Sequence, residues 1–250
     1  MFALSSLQSP CRRDHRPYHV KGLHRRIELA YTNYFIRPQL DRLGSHPVFM
    51  QPWYIRVHGS RIRLGEQVHI VAASDRHVRL CVWQYDDHQG AITVGDYALI
   101  CPGVRIDSAS HVTIGDNCML ASGAYLSDAD WHDIYDRTRP IGKTAPIVLA
   151  DNVWVGDGAV ICKGVSIGRN SIVGAGSVVT NDVADNVIVA GNPARVVREL
   201  DANGPHRTRR DLLADHADLS MRLDQVERYL LAGNSLWGWL RSIVRPRSGD

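Results

Sequence analysis

Residues 149–180 read LADNVWVGDGAVICKGVSIGRNSIVGAGSVVT. An aliphatic side chain returns here at every sixth position: Leu149, Val155, Ile161, Ile167, Val173 and Val179. In five of the six cases the next residue is small, namely Ala150, Gly156, Cys162, Gly168 and Gly174. A period of six matches neither the turn of an α-helix nor the two-residue alternation of a hairpin strand. It matches a solenoid of very short strands joined by tight turns, in which each hexad sends one aliphatic side chain into a narrow axial core. The small neighbour marks the place where a Cβ would crowd the turn. A single coil cannot bury its apolar face alone, so successive coils must stack.

Towards the N-terminus, Ile114, Leu120 and Leu126 keep the step, as do Val94, Ile100 and Ile106, while Leu64 and Ile70 mark an earlier, degenerate coil. Turn-forming residues fall at matching phases: Gly95-Asp96, Gly115-Asp116-Asn117, Asp151-Asn152 and Arg169-Asn170. The period breaks twice. Between Ile106 and Ile114 the step is eight, which inserts two residues near Ser110 and His111. Between Leu126 and Leu149 the step is 23, which predicts a loop of about 17 extra residues leaving the solenoid. A long loop on a rigid scaffold is the usual seat of function. The expected organisation is an all-β solenoid over residues 55–200 with a protruding loop at 127–146.

The flanks read differently. Residues 1–20 are expected to be disordered, and residues 21–54 to form a helical extension. Leu23, Ile27, Ala30 and Tyr34 have helical spacing, with an end near Pro38. Residues 201–250 read as a linker, Asp201 to Arg210, followed by an amphipathic helix on Leu219, Leu223, Val226 and Leu230. In the tail, Leu236, Trp237, Trp239, Leu240, Ile243 and Val244 are crowded together beside Arg241, Arg245 and Arg247. That composition suits an interfacial helix at a membrane surface; the alternative is a segment packed on the solenoid or on the preceding helix.

The 250 residues, 44% of them hydrophobic, are enough for one sizeable core. Twenty-nine basic against 26 acidic residues leave a net charge of +3, too small an excess to argue for nucleic acid. No stretch reaches the ~18 apolar residues of a membrane span. Residues 1–18 carry Arg12, Arg13, Asp14 and Arg16 with no long apolar run, unlike a secretory signal. Five cysteines without CxxC spacing favour neither a disulfide framework nor a zinc ribbon, so a reduced, cytoplasmic protein is expected.

The run NVWVGDGAVICKGVSIGRNSIVGAGSVVTNDVADNVIVAGNPARVVREL, residues 152–200, resembles the C-terminal coils of the hexapeptide-repeat acyltransferases. The resemblance is closest to the galactoside, maltose and xenobiotic O-acetyltransferases, is specific over about residues 92–200, and vanishes after 200. It implies a left-handed parallel β-helix, a homotrimer with active sites between neighbouring subunits, and acetyl-CoA as co-substrate with no metal. It places the catalytic histidine in the protruding loop, where SDADWHDIYDR contains His132. Histidine titrates near neutrality and suits removal of a proton from an attacking hydroxyl.

For the carrier, the resemblance sets Trp154 against the pantetheine arm, with Gly156, Asp157 and Ala175 along the main-chain edges beside it. Galactoside members have serine at the Asp157 position. Thr180, Asn181, Arg195 and Arg198 match the segment that meets the nucleotide end, and the fork of arginine donors suits phosphate. A lysine often stands in the family where this chain has Asn181. On the acceptor side the pattern departs: the asparagine and acid of galactoside members fall at Cys101 and near Ala109. Asp128, Asp130, Trp131, Tyr135 and Arg137 are the candidates for an acceptor pocket, since aromatic rings with polar handles suit sugars. Asp128, Asp130 and Asp133 flank the histidine, and any one of them could orient it.

Two other readings compete. Metal-dependent lyases of the γ-carbonic anhydrase type share the implied fold, but need three histidine ligands. Between residues 92 and 200 the only histidines are His111 and His132. A non-catalytic scaffold is the other, opposed by the joint presence of His132, Trp154, Thr180 and Arg195.

Overall fold

The aliphatic hexads stack into three columns. A computed structural model describes residues 14–85 and 87–247. Leu43, Leu64, Val94, Ile114, Leu149 and Ile167 lie in parallel register on one face of the solenoid. Phe49, Ile70, Ile100, Leu120, Val155, Val173 and Val189 do so on a second. Val57, Leu80, Ile106, Leu126, Ile161 and Val179 form the column of a third. The faces are sheets of six, eight and six strands, and the chain visits them in rotation. From Leu64 to Val179 these side chains are at most 2% exposed. Each contributes roughly 1.5–3 kcal/mol of burial.

Turn chemistry is repeated at each corner. Between the first and second faces, Asn117, Asn152, Asn170 and Asn186 adopt left-handed backbone with φ of 57–63°, which asparagine tolerates better than most residues. The asparagines then bond up the stack, Asn152 Nδ2 to Asn170 Oδ1 at 3.0 Å and Asn170 Nδ2 to Asn186 Oδ1 at 2.8 Å. Beside them, Asp116 and Asp151 accept from the backbone N–H of Asp96 and Asp116 in the preceding coil, at 2.8 and 2.9 Å. Coils approach so closely here that a Cβ on Gly115 would come within 2.6 Å of the Asp151 carboxylate.

The solenoid starts earlier than residue 55. Arg42–Leu43 pairs with Ile62–Leu64, and Val48–Met50 with His69–Val71, so residues 42–54, expected to belong to the helical extension, already form coil. The signal was present, since Leu43 and Phe49 are six apart and Gly44 follows the first. Helix α1, Tyr18–Tyr31, begins inside the stretch expected to be disordered, and continues as a π-turn, Thr32–Ile36, and a 3₁₀ turn, Arg37–Gln39. The rest of that expectation, residues 1–13, lies outside the described residues. At the far end Val187–Gly191 and Ala194–Glu199 form an antiparallel hairpin that closes the second sheet. Two fully buried serines anchor it: Ser171 Oγ accepts from Val187 N at 3.1 Å, and Ser177 Oγ from Gly191 N at 3.1 Å.

The chain divides into two units, residues 28–214, and residues 1–27 with 215–250. In the first, the segment read as a linker docks at its end: helix α2, Arg209–Leu213, follows a capping box at Thr208. Arg209 Nε donates to Tyr97 O at 2.7 Å and Arg210 pairs with Asp116 at 3.1 Å. The second unit holds helices α3, His216–Leu231, and α4, Leu236–Val244, capped by Asp215 and Ser235. There Lys21 pairs with Glu227 at 3.2 Å, and Arg228 lies over the Tyr18 ring at 4.6 Å.

The columns make a direct prediction. Leu120→Ala is expected to cost roughly 2–5 kcal/mol, read from the denaturant midpoint, whereas Val148→Ala on the outer side of its strand should stay within about 0.5 kcal/mol.

Candidate active site

The protruding loop leaves the third face after Tyr125–Ser127 and rejoins the first at Ile147–Leu149. Its base is a short hairpin: Ala129 bridges Thr144, Asp130 N donates to Lys143 O at 2.9 Å, and Gly142 N donates to Asp130 O at 2.8 Å. Gly142 has no room for a side chain, because a Cβ would meet His132 O at 2.6 Å.

Asp128 anchors this hairpin. The residue is wholly buried, and its carboxylate accepts from Ala109 N at 2.7 Å, Ser110 N at 3.0 Å and Ser108 Oγ at 2.6 Å. Burial pushes its carboxyl above the usual aspartate range, and the three donors pull the other way. With both oxygens engaged inside the protein, Asp128 cannot hold an acceptor, and its expected place in the acceptor pocket is corrected to an anchoring one. The donors, Ser108 to Ser110, run up to the two-residue insertion at Ser110 and His111, so the two breaks in the repeat lie on either side of one carboxylate.

The neighbouring acids are also engaged. Asp130 pairs with Lys163 at 2.7 Å. Asp133 caps its own turn, accepting from Tyr135 N at 2.9 Å and Asp136 N at 3.0 Å, and these bonds hold its carboxyl below the ordinary value. None of the three acids bonds to the His132 imidazole, which is exposed. Tyr135 is 92% exposed, and Arg137 turns back onto Asp133 O at 2.6 Å.

Trp131 is half-buried, packs on Ala109, Ala129 and Ile141, and donates from Nε1 to Ser127 Oγ at 3.0 Å. Its ring meets Trp83 edge to face at 6.0 Å, and Trp83 lies 4.9 Å from His58. These aromatics wall a cavity of about 740 Å³ that His132 and Arg105 also line. Towards the later coils Trp131 and His132 line a second cavity, about 450 Å³, with Asp130, Cys162 and Lys163. His58, Trp83, Arg105 and Lys163 went unseen in the sequence because nothing in linear order ties a loop to the coils above and below it.

The expected carrier residues divide between two sides of the prism. Trp154, 45% exposed, stands on the second face between Met119 and Ile172. Gly156, Asp157 and Ala175 follow at the corner leading to the third face. A Cβ on Gly158 or Gly176 would meet nothing within 4 Å, so that corner is a bare strip of main chain suited to an extended arm. Thr180 and Asn181, bonded to each other at 3.1 Å, lie instead at the corner between the third and first faces, the one that carries the His132 loop. Arg195 and Arg198 are exposed on the closing hairpin. In one chain, therefore, His132 and Trp154 are on opposite sides. Cys101 is half-buried, and burial raises its thiol. No three His, Cys, Asp or Glu side chains among the described residues are grouped to hold a metal.

Known proteins share this arrangement of coils. Residues 146–181 match the family model described as bacterial transferase hexapeptide (six repeats), and residues 112–128 that described as the hexapeptide repeat of succinyl-transferase. Over those two stretches the coils are similar to the hexapeptide repeats of bacterial transferases. Galactoside O-acetyltransferase of Escherichia coli (strain K12) is 44% identical over 97 residues, covering 38% of this chain and 47% of that protein. Galactoside O-acetyltransferase of Lactococcus lactis subsp. lactis (strain IL1403) is 27% identical over 165 residues, 66% of either chain. The chain thus spans about half to two thirds of the length of these relatives. In fold it is similar to AntD, an N-acyltransferase from Bacillus cereus, with a TM-score of 0.54 at 16% identity over 77% of this chain and 96% of that one.

Removing the anchor tests the loop. Asp128→Ala strands the N–H groups of Ala109 and Ser110, at roughly 1–3 kcal/mol for each buried donor left unmade. The expected result is a lower unfolding midpoint, measured by thermal melting, with faster proteolysis within residues 128–146.

Proposed function

We propose that this chain is an acetyl-CoA-dependent O-acetyltransferase, built on a left-handed β-helix, that acylates a hydroxyl of a sugar or glycan with His132 as general base. One observation carries this reading: His132 stands where two cavities meet, one walled by aromatic rings and one running towards the later coils. Aromatic walls with polar tips suit a sugar ring, and the galactoside O-acetyltransferases similar to this chain act on hydroxyl groups.

In the reaction, the acceptor hydroxyl attacks the thioester carbonyl while the imidazole takes its proton. A C–O bond forms, the C–S bond breaks, and the proton passes from the imidazole to the departing thiolate. The bare main-chain strip at Gly158 and Gly176 takes the pantetheine arm, with Trp154 beside it. Arg195 and Arg198 take the phosphates, and Thr180 and Asn181 lie near the nucleotide end. Because His132 and Trp154 face away from each other in one chain, a neighbouring subunit completes each site. A cyclic homotrimer supplies that pairing three times.

His132→Ala is expected to lower kcat by about 10²–10⁴ in a thiol-release assay with acetyl-CoA, and Trp154→Ala to raise KM for acetyl-CoA. Mixed oligomers of the two variants should regain activity at low acetyl-CoA, since some sites then combine an intact histidine with an intact tryptophan. Full turnover by His132→Ala, or no recovery on mixing, contradicts the shared site.

We propose further that α4 meets an anionic membrane surface from the inner face. No helix among the described residues is long and apolar enough to cross a membrane. Leu236, Trp237, Leu240, Ile243 and Val244 share one helical side and are 48–82% exposed, with Arg241, Arg245 and Arg247 close by. Three such helices on a trimer act together. Sedimentation with phosphatidylserine vesicles should be lost in Trp237→Glu/Ile243→Glu, whereas equal sedimentation of both proteins assigns α4 no part in lipid binding.

A further inference from the structure

The third face carries a row of arginines that the acyl-transfer chemistry does not use. Parallel pairing aligns Arg56 with Arg79 and Arg79 with Arg105, so three guanidinium groups stand on successive coils on the outer side of the sheet. Like charges in directly opposed sheet positions are destabilising. Two of the nearby arginines are held within the protein. Arg105 Nε lies 2.5 Å from the buried Asp107 carboxylate, with the guanidinium 4.8 Å from the Tyr125 ring centre. Arg76 Nη1 donates to Ser122 Oγ at 2.9 Å. No side chain among the described residues pairs with Arg56 or Arg79, and both are exposed.

A small cavity of about 280 Å³ opens beside the row, lined by Asp75, Arg76, His77, Arg79, Arg105 and the glycines 103 and 123. Both glycines have left-handed backbone, φ of 80° and 70°, and place no side chain in the cavity. Asp75 is the acid on its lining. Asp107 is already matched by Arg105, and His77 is stacked on Tyr54 at 5.3 Å. Arg56, Arg76 and Arg79 therefore stand against a single carboxylate. The volume lies just below the roughly 300–1,000 Å³ of pockets that take whole small molecules, so it suits one anionic group of a larger ligand. Arg105 also lines the aromatic cavity that holds His132, and so joins the two spaces. The cavity lies on the earlier coils, where Gly103 and Gly123 continue the corner that carries Gly158 and Gly176, and the His132 loop stands between the row and Thr180 and Asn181, the segment assigned to the carrier's nucleotide.

We propose that Arg56, Arg76, Arg79 and Arg105 bind the phosphate or diphosphate of a phosphorylated acceptor, while its sugar enters the aromatic cavity and offers a hydroxyl to His132. The proposal rests on the acyl-transfer reading for the role of His132, but the anion site stands on its own geometry. The fork of guanidinium donors matches phosphate oxygens. Exposed arginines make such binding strongly dependent on salt.

The test separates the two claims. Calorimetry at low salt measures inorganic diphosphate binding to the full chain, to Arg79→Gln, to Arg56→Gln/Arg79→Gln and to His132→Ala. Wild type and His132→Ala should bind alike, Arg79→Gln at least tenfold more weakly, and the double variant more weakly still. Thiol release from acetyl-CoA then compares a sugar diphosphate, free as a nucleotide sugar or lipid-linked in vesicles, with the neutral methyl glycoside of the same sugar. Arg79→Gln should raise KM at least tenfold for the phosphorylated acceptor, leaving kcat, KM for acetyl-CoA and KM for the glycoside unchanged. The form with the lower KM in wild type identifies the source of the diphosphate. Equal diphosphate binding by wild type and the double variant overturns the proposal. So does an Arg79→Gln effect confined to KM for acetyl-CoA, which would assign the row to the carrier. Intact diphosphate binding without thiol release from any acceptor overturns the acyl-transfer reading and leaves the anion site standing.

Discussion

Coil-on-coil stacking sets every other property of this protein. Each short strand has too few residues to be stable alone, and its backbone N–H groups reach the carbonyls of the next coil, as Ala121 N does to Val155 O at 2.9 Å and Tyr125 N to Ala159 O at 2.9 Å. The spacing leaves no freedom at Gly115, where even one carbon would collide with the coil below. The aliphatic columns then follow, because a parallel register repeats the same position in every coil. A scaffold so constrained cannot adapt around a ligand. Chemistry is left to the places where the chain departs from it.

The main departure is itself tied down. Two insertions, one of two residues and one of a whole loop, sit in adjacent coils, and the buried Asp128 carboxylate joins them through three donors. An ionisable group in so apolar a place is tolerated because its oxygens are fully used. The result is a loop whose root is rigid and whose tip, Ile134 and Tyr135, is open to solvent. Trp131 and His132 lie between the two, with Trp131 held to the root by its bond to Ser127.

Electrostatics divides along the same geometry. Inside the prism nearly every side chain is apolar, so charge is confined to the outer faces, where register decides which charges become neighbours. Arg56, Arg79 and Arg105 belong to separate coils, 23 and 26 residues apart in sequence, yet stand side by side. The chain's small net charge of +3 conceals this local excess.

Sequence alone was enough for the solenoid, the phase of its core, both breaks in the repeat and the loop that bears His132. A period of six with small residues at one phase has few structural solutions, and each is a statement about neighbours in the chain. The start of the coils at Arg42 was less legible, because one pair, Leu43 and Phe49, is too short a run to stand out from helical spacing around it. What tertiary structure decided concerns contacts between coils. Asp128 became an anchor because Ser108 to Ser110 pass beside it. Trp83, 48 residues before Trp131, reached that ring because the loop folds back over earlier coils. His132 and Trp154 were parted to opposite sides although only 22 residues separate them, because the chain crosses the whole first face and turns the corner at Asn152 between them. Sequence distance along a solenoid says which face a residue takes, but only the stacking says which residues meet across coils.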